Sequence, residues 1–233
     1  MVDINDPRNY KRCQKKQYKI WCCKPPKGTY AINAFEQHEI WRRLNGRSII
    51  TYGEAEKKGM VQLLDNLASS GKVYKVMADN DFLLSGTQGE VWLAKIDKIA
   101  RTYRLQNGTP ITPQSLNRMA KKIGYEVVID WFGVETLSSQ GGINMACHVP
   151  KTQRGEIATS WGARLTINGV GVSHGTGDFI VCGMLPNGMP NLNDRWVVNG
   201  LIFVDTYDNR SFSGEIKSGK STVPRKPKSI LSI

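Results

Sequence analysis

Three stretches of this chain carry residue types that could do chemistry. Ser173-His174-Gly175-Thr176-Gly177-Asp178 sets a hydroxyl, an imidazole and a carboxylate in one glycine-rich loop. Nucleophilic catalysis needs such groups to converge from different directions, which neighbours on one short loop cannot do. The loop reads as a turn with polar decoration, and no catalytic residue is assigned. Gly214-Glu215-Ile216-Lys217-Ser218-Gly219-Lys220-Ser221 matches the spacing G-x-x-x-x-G-K-S of a phosphate-binding loop. Such a loop follows a buried strand and opens a long helix, whereas Thr222-Val223-Pro224 comes next here, so the match reads as chance and no cofactor is expected. Cys13, Cys22, Cys23 and His38 could be drawn as metal ligands, but their spacing fits no compact zinc pattern. The adjacent pair Cys22-Cys23 would point to opposite faces of a strand, and no metal is expected.

A fourth feature is charge. The formal net charge is +12, and it is concentrated at the ends. Residues 1–30 hold eight Lys or Arg against Asp3 and Asp6, and residues 210–233 hold six against Glu215 alone. Basic arms of this kind contact phosphates and release counterions. The residues that would do so are Lys11, Arg12, Lys15, Lys16 and Lys19 at the front. At the back they are Lys217, Lys220, Arg225, Lys226 and Lys228. Tyr10, Tyr18 and Trp21 are interleaved with the first group, as on surfaces that stack single-stranded bases, although covering the edge of the module's core is the reading favoured for them.

The elements that must hold these residues follow from periodicity. Residues 17–34 read as strand, proline break, strand. Residues 34–44 and 52–69 read as helices, the second ended by Gly71. Asn107-Gly108-Thr109-Pro110 is a turn, and Thr112 with Pro113 caps and opens a connecting helix. Residues 125–134 read as a strand from their β-branched and aromatic content.

One pattern occurs twice. Asp81-Phe82-Leu83-Leu84-Ser85-Gly86, Trp92-Leu93 and Thr102-Tyr103 match Asp178-Phe179-Ile180-Val181-Cys182-Gly183, Trp196-Val197 and Thr206-Tyr207. Cys23-Lys24-Pro25-Pro26-Lys27 and Cys147-His148-Val149-Pro150-Lys151 are a weaker echo upstream. An acidic turn residue can accept backbone N–H bonds, the next four residues make a buried strand, and the glycine admits a hairpin turn. The motif residues are therefore structural: Asp81, Phe82, Gly86, Trp92 and Tyr103, then Asp178, Phe179, Gly183, Trp196 and Tyr207. The second copy carries a longer loop, Met184 to Asp194, where a turn is expected.

These residues resemble the PGDYG-motif family, short proteins frequent in bacteriophages and mobile elements. Gly177-Asp178-Phe179-Ile180-Val181 and Ile202 to Tyr207 are the nearer match. The first copy offers Asp81-Phe82-Leu83-Leu84 and Gly89-Glu90-Val91-Trp92, with Asn80 in place of the motif glycine. Asp79 and Thr176 stand where the family has its leading proline. The resemblance implies a phage-like origin and a compact fold rather than a reaction.

The expected architecture is α+β and β-dominant: two related small β-rich modules with one or two helices and basic terminal arms. The expected divisions are an arm at 1–16, a first module at 17–107 and a connecting turn and helix at 108–124. A second module at 125–212 and a basic tail at 213–233 follow. No apolar stretch is long enough to span a bilayer, and residues 1–19 lack the apolar core of a signal peptide. The five cysteines, an odd number, then read as reduced thiols in the cytoplasm of a bacterial host. The leading expectation is a non-enzymatic protein that contacts nucleic acid, without a membrane. An accessory factor binding a host protein is the alternative, and an enzyme acting through His174 is the third.

Overall fold

The computed structural model describes residues 1–32, 37–122, 128–129, 131–137, 143–160, 164–167, 177–208, 210–212 and 230–231. The first half contains β1 (Lys11–Gln14), β2 (Lys19–Cys23), β3 (Tyr30–Ala31), α1 (His38–Arg43), β4 (Ile49–Ile50) and α2 (Tyr52–Lys57). It continues with α3 (Val61–Ser69), β5 (Tyr74–Lys75), β6 (Asp81–Ser85), β7 (Val91–Lys95), α4 (Ile96–Thr102) and β8 (Tyr103–Leu105). Next come α5 (Pro113–Lys122), β9 (Val128–Ile129), β10 (Phe132–Thr136), β11 (Ile143–Val149), β12 (Gly155–Ala158) and β13 (Arg164–Ile167). β14 (Asp178–Met184), β15 (Pro190–Asn199), α6 (Gly200–Thr206) and β16 (Ile230–Leu231) complete the set. The fold is α+β and β-dominant, with all strand pairs antiparallel.

The chain divides into two compact units. Unit 1 takes residues 1–18 and 138–222; unit 2 takes 19–137 and 223–233. The division therefore does not fall at Asn107-Gly108, which makes a tight turn inside unit 2, with Gly108 N–H on the Leu105 carbonyl at 2.8 Å. Nor are residues 1–16 an arm. Tyr10 and Cys13 are buried and Lys11–Gln14 pair with β11, so this segment is a strand of unit 1. Of the expected basic tail, Ile230 and Leu231 pair with Ile129 and Val128 of β9.

In unit 1 the sheet order is β1-β11-β14-β15. Alternating side chains put Cys13, Ala146, Phe179 and Val181 on one face, packed with Phe203, Tyr207 and Phe212. The other face carries Cys147, Ile180 and Cys182, covered by Ile157 and Ile167 of the β12–β13 hairpin and by Tyr10. Burial on both faces explains why β14 reads as an unbroken apolar run.

In unit 2 the order is β7-β6-β2-β10-β8. The segment between β2 and β6 forms a small sheet, β4-β3-β5, with α1, α2 and α3. Tyr30, Ile50, Leu44, Ala55 and Leu64 build its core. The helix expected across residues 52–69 is two helices, because Gly59 takes φ +64° and breaks the register. Thr112 caps α5 as expected, accepting the Ser115 N–H at 3.1 Å.

The two larger sheets share one register. Asp81 lies opposite Lys95 and Asp178 opposite Asn199; Leu84 faces Trp92 and Val181 faces Trp196. On the other side, Cys23 faces Leu83 while Cys147 faces Ile180. A short helix follows each returning strand, α4 and α6. Thr102 and Thr206 end these helices by bonding back to the Lys98 and Ile202 carbonyls, at 2.8 and 2.7 Å. Tyr103 then enters β8, and Tyr207 makes a single bridge to Lys15.

The motif residues show why the pattern needs them. Asp81 is 1% exposed, and its carboxylate accepts the N–H groups of Ala78 (2.9 Å) and Met77 (3.1 Å) and pairs with the Lys95 ammonium. Burial disfavours the ionised form, but Lys95 and the two amides outweigh it and hold the carboxyl below its ordinary value. This group binds its proton less readily when folded, so its stabilisation is full above pH 3.8 and is lost as pH falls through the lower folded value. Asp81→Asn should therefore flatten the melting temperature below pH 3.8, where the parent falls. An equally steep acid limb in the variant would remove Asp81 as its source.

Gly86 makes the expected hairpin turn, its N–H bonding the Glu90 carbonyl at 2.9 Å. Gly183 does not. It sits within β14 at a register shift between Cys182 and Met184, and the turn is moved out to Leu185–Met189. Of the expected loop from Met184 to Asp194, Met184 and Pro190 to Asp194 lie on strands, Met184 opposite Pro190, and a bulge absorbs the mismatch.

Candidate nucleic-acid interface

The basic residues of the N-terminal segment are set on a strand whose positions are fixed by burial. Cys13 points into the aromatic core, and that burial pushes its thiol up to about 12. Lys11 and Lys15, two residues to either side, share its face and are exposed. Beneath them the core is a column of rings. Phe179 stacks on Phe203 at 3.8 Å, Phe203 on Tyr207 at 4.8 Å, and Phe212 meets Phe179 and Phe203 edge-on.

The ammonium groups rest on the rim of that column. Lys11 Nζ lies 5.3 Å from the Phe212 ring, and Lys15 Nζ lies 5.4 Å from Tyr18 and 6.0 Å from Tyr207. Lys16 Nζ donates to the Val204 carbonyl at 2.8 Å, near the end of α6. A cation–ring contact made by an exposed ammonium is worth about 0.5–1 kcal/mol, enough to orient the Lys11 and Lys15 heads without sequestering their charge. Arg12 is exposed on the opposite face of the strand. Burial raises the Tyr207 hydroxyl to about 12, so this ring stays neutral at physiological pH.

The structure thus gathers Lys11, Arg12, Lys15 and Lys16 on one short segment with Tyr18 and Tyr207. Lys19 begins β2 in unit 2, where its strand neighbour is Glu135. Lys217, Lys220, Arg225, Lys226 and Lys228 lie outside the described residues, as do His174 and the Gly214–Ser221 segment. Arg195 is a contributor the sequence did not mark: its guanidinium donates to the Ile4 carbonyl and the Asn5 side chain, both at 3.0 Å, and ties down the chain ahead of β1. Its distance in sequence from Ile4 hides that role.

Of the cysteines drawn as metal ligands, Cys13 belongs to unit 1 and Cys22 and Cys23 to unit 2. Among the described residues no three His, Cys, Asp or Glu side chains cluster as a metal site. A groove of about 340 Å³ in unit 2 is lined by Lys24, Asp79, Asn80, Ile96, Pro113 and Asn117. Lys24 Nζ already donates to the Asn117 side-chain Oδ1 there, at 3.2 Å, and lies 5.8 Å from the Phe82 ring. His148 meets Phe179 at the matching place in unit 1, ring centroids 5.0 Å apart. Both contacts cover the motif phenylalanine, which accounts for them structurally.

Among the described residues no helix is long and apolar enough to cross a membrane. No family model, curated protein or solved structure matches the chain.

Proposed function

We propose that this chain is a non-enzymatic binding protein of bacteriophage or mobile-element origin, acting in a bacterial cytoplasm, that holds nucleic acid along β1. The observation that carries this reading is that Lys11 and Lys15 lie over Phe212, Tyr18 and Tyr207, with Lys16 next along the segment and Arg12 exposed on the other face of the strand. Exposed cations held along one strand suit a phosphate backbone, and Tyr18, half-buried beside Lys15, suits a stacked base. The duplicated Asp-aromatic pattern, with its resemblance to the PGDYG-motif family, supports the origin.

The test is fluorescence anisotropy with labelled single-stranded and duplex oligonucleotides between 50 and 200 mM salt. The parent should lose affinity steeply with salt. Replacing Lys11, Arg12, Lys15 and Lys16 by Gln should lower the slope of log K against log salt by about 3, at about 0.7–0.9 per phosphate contact. No binding at 50 mM salt, or an unchanged slope, would sink the reading.

A second reading has its own observation. Leu185 and Met189 are exposed at the tip of the long β14–β15 hairpin, an apolar end suited to a host protein. That alternative predicts salt-insensitive capture of one stoichiometric partner, lost in Leu185→Asp with Met189→Asp.

A further inference from the structure

We infer that β1 and β10 are the same strand of one repeated unit, traded between the two copies. Each copy is then built around a strand supplied by the other. This goes beyond the nucleic-acid reading and does not depend on it.

The argument begins with position in the chain. β1 is the last described element before β2, and β10 the last before β11, while β2 and β11 hold the same register against β6 and β14. Now the pairings are compared. In unit 2, Phe132 of β10 lies opposite Cys22 and Val134 opposite Ile20. In unit 1, Lys11 of β1 lies opposite Ala146 and Cys13 opposite Asn144. Cys22 and Ala146 each immediately precede the matched cysteines Cys23 and Cys147, so Phe132 and Lys11 hold equivalent places. The far side agrees. Thr136 faces Tyr103 and Lys15 faces Tyr207. The next residue repeats one bond: Leu137 N–H to the Thr102 carbonyl at 3.1 Å, Lys16 N–H to the Thr206 carbonyl at 2.8 Å. Trp131 and Tyr10, each just ahead of the strand, are both buried.

Without exchange, each strand would fold back on its own successor. The register would then set Gln14 opposite Lys19 across the four residues 15–18, a length that closes a hairpin readily. Charge favours the exchanged form. Glu135 sits between Lys19 and Arg104 in unit 2, its carboxylate 3.6 Å from the Arg104 guanidinium. The unexchanged form would put neutral Gln14 between those two cations. It would also bring Glu135 beside Asp208, whose N–H now bonds the Gln14 carbonyl at 2.8 Å. An acid between two bases becomes an acid beside an acid, and like charges on neighbouring strands are unfavourable. Glu135 is the residue that selects the partner.

The test is hydrogen exchange of the full-length chain read by mass spectrometry. Cys13→Glu should raise exchange in residues 143–149 and 178–207 at least tenfold while residues 19–23 and 81–105 keep their protection. Val134→Glu should do the reverse, although Val134 is much nearer in sequence to β11. If Cys13→Glu instead opens β2 and β6, the strands are not exchanged and the inference falls. Should either variant unfold throughout, Cys13→Ser and Val134→Ala carry the same comparison. The double variant Gln14→Glu with Glu135→Gln moves the acid to the other strand. In that background Cys13→Glu should strike residues 19–105; damage confined to residues 143–207 would remove Glu135 as the selector. Nucleic-acid binding is measured separately, so loss of one reading leaves the other standing.

Discussion

Phe179→Ala is expected to lower the free energy of unfolding by about 3–5 kcal/mol, the range for a fully buried aromatic truncated to alanine. Phe179 has no exposed surface and is the centre of the ring column. It stacks on Phe203 at 3.8 Å, meets Phe212 edge-on at 5.2 Å and lies 5.0 Å from His148. Removal leaves a cavity that these three neighbours must close, and packed interiors relax only in part. Urea unfolding followed by tryptophan fluorescence would measure the change. Phe82→Ala supplies the internal comparison, because Phe82 is as buried but has Lys24 over its ring where Phe179 has His148. A loss at Phe179 below about 1.5 kcal/mol would mean that the column can be rebuilt, contrary to its geometry.

The second large effect is expected at a glycine. Gly177 has φ +76°, and a Cβ there would stand 2.1 Å from the Val149 carbonyl oxygen and 3.0 Å from the Lys151 nitrogen. Both obstacles are backbone, so no side chain can swing away. Gly177→Ala should cost about 3 kcal/mol, combining left-handed strain with displacement of the strand end. Gly183→Ala is the control: nothing lies within 4 Å of its Cβ position, and a cost within about 1 kcal/mol is expected. Equal losses at the two sites would show that the Val149 contact is not what fixes Gly177. Where the Asp-aromatic pattern first occurs, Asn80 stands at the matching place. Among the described residues only Asn45 has a positive φ without being glycine, so Asn80 does not demand that freedom.

Much of the fold was readable because its signals are local. Asp81 announces a turn, β6 and β14 announce themselves by apolar content, and Trp92 with Trp196 mark the returning strands. The weak echo of Cys23 and Cys147 falls at one register against Leu83 and Ile180. Two features were hidden for physical reasons. α4 and α6 are seven residues each and rich in Ile, Phe and Val, which on propensity alone read as continuing strand. β1 has one apolar residue, Cys13, among Lys, Arg and Gln, too little alternation to mark a strand. Its charge instead suggested an unstructured arm. The candidate site was legible as residue types, but its placement was not, because two of the rings beneath Lys11 and Lys15, Phe212 and Tyr207, come from far along the sequence.

The placement of β1 also orders events during synthesis. Unit 2 draws its main sheet from the contiguous residues 19–137, so that sheet can close once β10 has emerged. β1 must wait for β11, whose residue 146 pairs with residue 11. At about 5–20 residues per second, the strand made first spends roughly seven to thirty seconds without its neighbour. A greasy strand exposed for so long would invite aggregation. Lys11, Arg12, Lys15 and Lys16 repel like strands on neighbouring nascent chains, so the charge that β1 carries helps to keep the unfinished protein dispersed.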